Sequence, residues 1–429
     1  MTIVSKASAY PKSVQPGLPK LGSCPPGWTR GPLSAHLFEE LRPLKMADDE
    51  VYDLVTVKRS RGGVVLRERL KGSEIAVKTQ FRLKAGDFLI SKRQIVHGAC
   101  GIVPPELDGA IVSNEYSILR ARPTLDLNFL NCLAHSIYFQ QTCFHSSIGV
   151  HVEKMIFKLE QWMKWDFDLP PLCEQRRIVE VLAAWDRAVQ AVDALASNAR
   201  AQKTALMQSL LTGKRRLPGF AGEWMTSTLE NAASIIVSNV DKKSNASERS
   251  VRLCNYMDVY RLDRIEADGV FMAATASDAQ VRKFGLKVGD VLITKDSETP
   301  SDIAVPSLVA STAPDLVCGY HLAIIRPKRG VDGQFLKYFF EHPHTRYFFA
   351  SRANGATRFG LTTGAIETAP IALPSHDEQR RIGKFINAAE LEVQRLESVG
   401  DALRQEKVAL MQQMLNGKRR VKVTDGDGA

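Results

Sequence analysis

Two stretches of the chain place apolar residues at alternating steps of four and three, the spacing of one face of a long helix. The first face consists of Ile178, Leu182, Trp185, Val189, Val192, Ala196, Ala199, Lys203, Leu206 and Leu210, and the second of Ile382, Ile386, Ala389, Val393, Leu396, Gly400, Leu403, Lys407, Leu410 and Met414. So narrow a stripe is typical of a coiled coil. We therefore predict that the two helices pair with each other, through Ile178, Leu182, Val189, Val192, Leu206, Leu210, Ile382, Ile386, Val393, Leu396, Leu410 and Met414. The alternative is that each helix packs separately on its own globule.

The two predicted helices are copies of one sequence. "EQRRI" at 174–178 returns at 378–382, and "ALMQSLLTGKRRL" at 205–217 returns as "ALMQQMLNGKRRV" at 409–421. Aligned without gaps, 21 of the 49 positions of 169–217 are identical in 373–421. Leu-Pro precedes both helices and a stop glycine follows both. This indicates a tandem duplication of a large unit.

One lysine interrupts each apolar face at the same place, Lys203 in the first helix and Lys407 in the second. A lysine at such a position either fixes the register of the helix pair or extends its ammonium group to solvent. The sequence leaves both alternatives open.

The rest of the chain divides into two globules of similar length. We predict a disordered leader at 1–26, domains at 27–168 and 217–372, spacer helices at 169–216 and 373–421, and a tail at 422–429. The globules share short segments of weak sequence similarity, such as "LKAGDFLISKR" (83–93) and "LKVGDVLITKD" (286–296). In both segments a Gly-Asp turn is predicted to lead into a buried strand. Segments 128–140 and 334–349 are predicted helices. The predicted fold class is α/β, with two α/β domains separated by two long antiparallel helices in pseudo-two-fold symmetry.

Composition adds modest constraints. The formal charge of +10 and the pI near 9.2 favour a polyanionic partner, although a basic surface kept for solubility explains them equally well. The seven cysteines form no C-x-x-C pair, which argues against disulfides and zinc. The N-terminus has no apolar signal region, and no run of about 18 apolar residues occurs. We expect a cytoplasmic protein without metal or membrane contact.

Catalytic motifs are missing from the sequence. It contains no G-x-G-x-x-G cofactor loop, no G-x-x-x-x-G-K-[ST] phosphate loop and no H-E-x-x-H. We therefore expect a chain without catalytic residues or a cofactor of its own.

Basic residues beside loop signals are the candidates for contact with nucleic acid, because Arg and Lys bind phosphates and the guanine edge in the major groove. The basic candidates are Lys58, Arg59, Arg61, Lys92, Arg93, Lys295, Arg352 and Arg358, and Thr357 beside Arg358 is a further candidate. Each of them also fits a solvated surface position. The Lys-Arg-Arg runs at 214–216 and 418–420 suit either a phosphate or the negative end of a helix dipole.

Taken together, the Leu-Pro-x-x-x-Glu-Gln-Arg-Arg-Ile opening, the long helix, the ALMQ-x-x-L-x-GK-R-R close and the alternating globules resemble the specificity (S) subunit of type I restriction–modification systems. The resemblance covers the whole chain in organisation, and its motifs lie in 169–220 and 373–421. It implies that the globules are target recognition domains, each reading one half of a split, asymmetric DNA site. It also implies partners: two methyltransferase subunits that use S-adenosylmethionine and, through them, translocase–endonuclease subunits.

The second globule contains "NGATRFGL" (354–361), similar to a Gly-Thr-Arg loop common in the family, whereas the first contains "SSIGVHVEKMIF" without Thr-Arg. The resemblance therefore predicts a non-catalytic DNA-sequence adaptor. The alternatives are a specificity subunit of a solitary methylation system, and a coiled-coil adaptor whose globules bind protein.

Overall fold

The computed structural model describes residues 13–242 and 245–422. The chain forms two compact units, of which the first comprises 1–191 with 400–429 and the second comprises 192–399. Each unit therefore contains one globule, part of the helix Leu172–Leu210 and part of the helix His376–Leu415. The predicted long helices are confirmed, and the predicted domain limits stay predictions because these units group helix segments with globules.

The first globule is a mixed α/β structure that leads into the first long helix. Its elements are β1 Thr29–Pro32, β2 Leu37–Glu39, β3 Pro43–Leu44, β4 Val51–Val57, β5 Val64–Lys71, β6 Gln80–Arg82, β7 Phe88–Ser91, β8 Cys100–Ile102, β9 Ile111–Ser113, β10 Tyr116–Ala121, α1 Leu127–Leu133, α2 Ile137–His145, β11 Ser147–Ile148, β12 Ile156–Phe157, α3 Leu159–Trp162, β13 Asp166–Leu169 and α4 Leu172–Leu210. The main sheets have the strand orders β2-β10-β7-β8 and β3-β6-β9-β4-β5.

The second globule follows the same general plan and ends in the second long helix. Its elements are β14 Met225–Thr228, α5 Leu229–Ala232, β15 Ala233–Val237, β16 Arg249–Cys254, α6 Tyr256–Arg261, β17 Arg264–Ile265, β18 Met272–Ala276, α7 Asp278–Phe284, β19 Val291–Thr294, β20 Asp296–Ser297, β21 Pro306–Val309, β22 Leu316–Cys318, β23 Leu322–Pro327, α8 Gly333–Glu341, α9 Pro343–Ala350, β24 Phe359–Gly360, α10 Thr363–Glu367, β25 Pro370–Leu373 and α11 His376–Leu415. The main sheets have the orders β15-β23-β19-β21-β17 and β18-β16-β22.

Two predictions about local structure need correction. The single helices predicted at 128–140 and 334–349 are each two short helices, because Ser136 caps α2 and Pro343 opens α9. The leader predicted as disordered is wrong for residues 13–26, which lie against the first globule: Val14 is buried, and the Gly17 carbonyl accepts a hydrogen bond from His145. Residues 1–12, and the tail from 423 onward, lie outside the described residues.

The predicted Gly-Asp turns are confirmed and begin the central strand of each globule. Asp87 and Asp290 are fully buried, and each accepts a hydrogen bond of 2.8 Å from the backbone N–H three residues earlier. Arg42 at 2.7 Å and Arg120 at 3.3 Å pair with Asp87, and Arg326, which matches Arg120 in register, pairs with Asp290 at 2.7 Å. A buried carboxylate needs such partners, so the same charge pair begins the same strand in both units.

Within each unit the two long helices run antiparallel. In the first unit Glu174 pairs with Arg420 and Asp186 with Lys407, so the partner's number falls as the number along α4 rises. In the second unit Lys203 pairs with Glu390 and Arg216, just beyond α4, pairs with Glu378. Shifting Glu174 and Asp186 by the repeat length of 204 gives Glu378 and Glu390, while Lys203 and Arg216 shift to Lys407 and Arg420. Both ion pairs therefore occur twice, with the roles of the helices exchanged.

The predicted apolar face faces inward. All twelve helix-pairing positions are buried or half-buried. Ile178 and Leu182 share a core with Met414 in the first unit, and Leu210 shares one with Ile382 and Ile386 in the second. Each core also includes globule residues such as Phe129 or Phe335, so the helices pack on each other and on the globules at once. The helices therefore pair with each other while they also pack on the globules, so neither helix packs on its globule separately.

Candidate functional site

The repeated phrases hold each globule onto the start of its helix. The buried Gln175 accepts a hydrogen bond from the Asp126 backbone at 2.8 Å and donates to the Pro170 carbonyl at 2.9 Å. Gln379 makes the same pair of contacts, with the Asp332 backbone at 2.9 Å and the Pro374 carbonyl at 2.9 Å. The glutamine of "EQRRI" therefore fixes the angle at which the globule meets the helix.

The glutamates of the same phrase bind the last arginine of the closing phrase. Arg420 donates to both carboxylate oxygens of Glu174 at 2.6 and 2.7 Å, and Arg216 binds Glu378 with the same distances. Both glutamates are buried. Sequence reasoning assigned Arg216 and Arg420 either to phosphates or to helix dipoles, and missed this role. The signal was available, since both phrases recur with one common offset.

The interrupting lysines form ion pairs between the helices. Lys407 pairs with Asp186, and Lys203 lies 2.6 Å from Glu390. The structure therefore favours the register alternative over free extension into solvent. In the second unit the pair extends into a buried network, where Lys337 binds Glu390 at 2.8 Å and Glu341 at 2.7 Å.

This network includes three clustered carboxylates, Asp263, Glu341 and Glu390. Burial raises the pKa of Glu390, but Lys337 and Lys203 outweigh that effect and lower the pKa below its ordinary value. Because two ammonium groups already occupy the space between the carboxylates, the arrangement suits an ion-pair network better than a metal site.

In the first globule, Lys58, Arg59 and Arg61 lie on the loop between β4 and β5. Ser60 and Arg61 both have left-handed backbone conformations, with φ of 55° and 60°. Lys58 is exposed, and Arg59 donates to Glu153 at 2.8 Å. Arg61 is half-buried, and among the described residues its Nε and Nη1 atoms have no hydrogen-bond partner. Desolvation lowers the pKa of Arg61. Only part of this guanidinium group is therefore open to a ligand.

Lys92 and Arg93 lie immediately after β7. The Lys92 ammonium donates to the Asn114 carbonyl at 3.0 Å. The Arg93 guanidinium donates to both carboxylate oxygens of Glu115, at 2.5 and 3.1 Å, and Arg93 is exposed. Arg59 donates to Gln94, the next residue, at 2.8 Å. The predicted basic residues of the first globule therefore gather at the end of its central strands.

In the second globule, Lys295 lies at the same end of β19. Its ammonium group contacts Asp296 at 2.5 Å, and the other carboxylate oxygen of Asp296 is 2.7 Å from Nδ1 of His321. Sequence reasoning missed Asp296 and His321, because it searched for basic residues only.

Thr357 and Arg358 lie at the exposed tip of a tight loop. Asn354 and Gly360 close it with two backbone hydrogen bonds, of 3.0 and 2.9 Å. Gly355 has φ of 140°, and a Cβ there would meet the Arg358 carbonyl oxygen at 1.8 Å, so only glycine fits. The loop is anchored to the central strands because β24 pairs with β20, Gly360 opposite Asp296. Arg352, also exposed, lies 3.6 Å over the Phe348 ring outside this loop.

These elements border one cleft of the second globule, with a volume of about 470 Å³. Its walls are Tyr256, Met257, Tyr260, Asp296, Ser297, Glu298, Thr299, Asp302, His321 and Arg358. Tyr256 and Tyr260 stack on each other with ring centres 5.8 Å apart, and Tyr260 is exposed. Aromatic faces, a carboxylate and a guanidinium around an open cleft can stack on a planar ring and bind its polar edge.

Comparison with solved structures defines the class of fold. No protein-family model matches the chain. The HsdS subunit from Thermoanaerobacter tengcongensis is similar, with 21% sequence identity, a TM-score of 0.52 and coverage of 92% of this chain and 98% of that chain. A chain from a structural study of complex assembly and conformational transition of the type I R-M system is 21% identical, with a TM-score of 0.56 and coverage of 93% and 100%.

A third solved structure agrees. The type I restriction-modification system S subunit from M. genitalium has 12% identity, a TM-score of 0.51 and coverage of 95% of this chain and all of that chain. The chain thus has the fold of type I specificity subunits over nearly its whole length. In the described part of the chain, no helix is long and apolar enough to cross a membrane.

Proposed function

We propose that this protein is the DNA-specificity subunit of a type I restriction–modification complex. Each globule reads one half of a bipartite, asymmetric DNA site. The observation that supports this most is the contrast within the molecule: the ion pairs and glutamines that hold globule to helix occur twice, whereas the residues around the strand ends and loops differ. A duplicated scaffold with two different exposed surfaces suits the recognition of two different half-sites.

The chain itself performs no chemistry in this proposal. Two methyltransferase subunits dock on it and supply S-adenosylmethionine and the methyl transfer to adenine. Translocase–endonuclease subunits join through them. The complex works in the cytoplasm, where the DNA is.

DNA binding draws on the basic residues at the strand ends and loops. Lys58, Lys92 and Arg358 contact phosphates. The logarithm of the affinity therefore falls linearly with the logarithm of the salt concentration. Contacts with base edges then select the sequence.

The test is co-expression of the chain with the methyltransferase subunit of its own host, followed by sequencing of methyladenine in the genome of the expressing cells. The proposal expects one motif of two fixed halves separated by unspecified bases. A methyltransferase that is active without the chain, or a motif with a single uninterrupted half, contradicts the proposal.

A duplex-binding titration of the complex at several salt concentrations distinguishes the proposed function from the alternative of a protein-binding adaptor, which predicts no binding to DNA. A bipartite methylation motif without cleavage of unmethylated DNA identifies the other alternative, a solitary methylation system.

A further inference from the structure

The central pair of antiparallel strands, β7 with β10 in the first unit and β19 with β23 in the second, has the same register in both units. Ser91 of β7 pairs with Tyr116 of β10, and Thr294 of β19 pairs with Leu322 of β23. By this register, Arg93 and Glu115 in the first unit occupy the positions of Asp296 and His321 in the second.

Contacts beyond the strands confirm this equivalence. The Lys92 backbone N–H donates to the Glu115 carbonyl and the Lys295 N–H to the His321 carbonyl, both at 2.9 Å. The next segment also docks in the same way: Phe157 donates to the Lys92 carbonyl and Leu361 to the Lys295 carbonyl, again both at 2.9 Å. The backbone is therefore matched as far as Lys92 and Lys295. Beyond them the first unit turns into a short 3-10 helix, Ile95–His97, whereas in the second unit Asp296 begins β20, which pairs with β24.

The charged side chains at one end of this strand pair are shared by the two units, and those at the other end are not. At one end both units have an aspartate bound to an arginine, Asp87 with Arg120 and Asp290 with Arg326. At the other end the two units carry different side chains. The first unit has the cation Arg93 on the β7 side and the carboxylate Glu115 on the β10 side, whereas the second has the carboxylate Asp296 and then His321.

Folding alone does not explain this difference, because the buried end keeps its Asp–Arg pair while the more exposed end does not. The side chains of Arg93 and Glu115 are 57% and 44% exposed, and those of Asp296 and His321 are 24% and 41% exposed. The exposed pair Arg93–Glu115 contributes little to stability, so the side chains at this end are available to a ligand.

The two arrangements suit different bases. A guanidinium group such as that of Arg93 donates two hydrogen bonds to O6 and N7 of guanine, whereas a carboxylate such as that of Asp296 accepts from the cytosine amino group. A carboxylate near DNA is repelled by phosphates. Lys295, in contact with Asp296, and Arg358, on the wall of the same cleft, offset that repulsion.

We infer that Arg93 with Glu115, and Asp296 with His321, are equivalent specificity-determining pairs, one for each half of the DNA site. This rests on the proposed function and adds the positions that discriminate bases. Arg93 selects an acceptor edge in one half-site, and Asp296 selects a donor edge in the other.

The experiment compares methylomes of the full complex containing the wild-type chain, Asp296→Asn or Arg93→Gln. The amide in Asp296→Asn keeps the shape and removes the charge. We expect each variant to change base preference at one or two adjacent positions of one half, by about tenfold, and to leave the other half unchanged. Asp315→Asn and Asp53→Asn, which break partly exposed ion pairs of Asp315 with Arg252 and of Asp53 with Arg69 away from this strand pair, are matched controls expected to keep the motif.

Thermal unfolding of each variant shows whether the fold is intact. Arg93→Gln is expected to stay folded, because the ion pair that it removes is exposed. A folded variant that methylates the unchanged motif overturns the inference, as does a change in both halves by one variant. If the wild-type complex itself yields no bipartite motif, the proposed function fails and the inference falls with it. A wild-type motif with unaltered variants overturns the inference alone.

Discussion

The two units of the molecule use one set of helix contacts and two sets of surface loops. Glu174 with Arg420 in the first unit corresponds to Glu378 with Arg216 in the second, atom for atom. The loops beside the central strands have diverged: β11 and β12 enclose an Ile-Gly-Val-His segment in one, and a Gly-Ala-Thr-Arg loop closes in the other. Shared positions are therefore those that hold globules on helices, and divergent positions are those open to a partner.

The largest loss of stability is expected from a charge placed in the helix seam, the apolar face through which the two long helices pack. Leu210→Asp places a carboxylate at a position that is 1% exposed, and Met414→Asp does so at its repeat counterpart. We expect each to lower the free energy of unfolding by roughly 3 kcal/mol or more, because the charge has no partner in the core. Urea unfolding measures the loss.

Leu195→Asp is the control on the same helix. Leu195 is 54% exposed, so the change should remain within about 0.5 kcal/mol. If Leu210→Asp and Leu195→Asp have equal effects, the seam does not hold the unit together.

The second comparison concerns one ion pair in two environments. Glu390→Gln removes a carboxylate buried between Lys203 and Lys337, and we expect a loss of roughly 1–3 kcal/mol. Asp186→Asn removes the counterpart, whose side chain is 53% exposed, and should cost less than about 1 kcal/mol.

The loss in Glu390→Gln should depend on pH. The pKa of Glu390 lies below its ordinary value of 4.5, because the two lysines outweigh burial. Its contribution is therefore complete above pH 4.5 and disappears as the pH falls through the folded-state pKa. Unfolding at a series of pH values measures this, and a wild-type advantage that persists unchanged in acid contradicts the assignment.

The third comparison concerns the repeated arginines. Trp28 also donates to Glu174, at 3.3 Å, whereas the Trp224 indole has no hydrogen-bond partner among the described residues. Arg420→Ala therefore leaves Glu174 with one side-chain donor, while Arg216→Ala leaves Glu378 with none that the structure describes. We expect the melting temperature to fall further for Arg216→Ala, and equal or reversed shifts would refute this reading.

The smallest effect expected is on DNA binding by single arginines of the second globule. Arg358→Ala should weaken duplex binding by the complex by up to about tenfold and reduce the salt slope by about one. Arg352→Ala should matter less, since its guanidinium already lies on the Phe348 ring. Titrations at three salt concentrations compare the two variants.

Sequence periodicity was sufficient for the helices. The four–three spacing predicted both long helices and the residues of their inward face, since helix geometry converts spacing directly into a face. The repeated glutamates and arginines were visible as a pattern. Their pairing, which joins residues 246 apart in one unit and 162 apart in the other, was missed although the common offset of the two phrases was visible.

The candidate site was less accessible to sequence reasoning. Lys295 and Arg358 were predicted, whereas Asp296 and His321 were missed. Asp296 was passed over because only basic residues were sought, and only the strand register brings His321 beside Asp296. Whether Lys58, Arg59, Arg61, Lys92, Arg93, Lys295, Arg352, Thr357 and Arg358 touch DNA stays a prediction.

The central claim is that the two globules, held by a duplicated pair of helices, recognise their half-sites independently. A domain exchange tests this claim most directly. Residues 27–168 are replaced by the first globule of another chain with the same helix phrases, and the methyladenine motif of the complex is sequenced beside that of the unmodified chain. The account predicts a motif in which one half changes and the other half is identical to the original. A motif altered in both halves would contradict it.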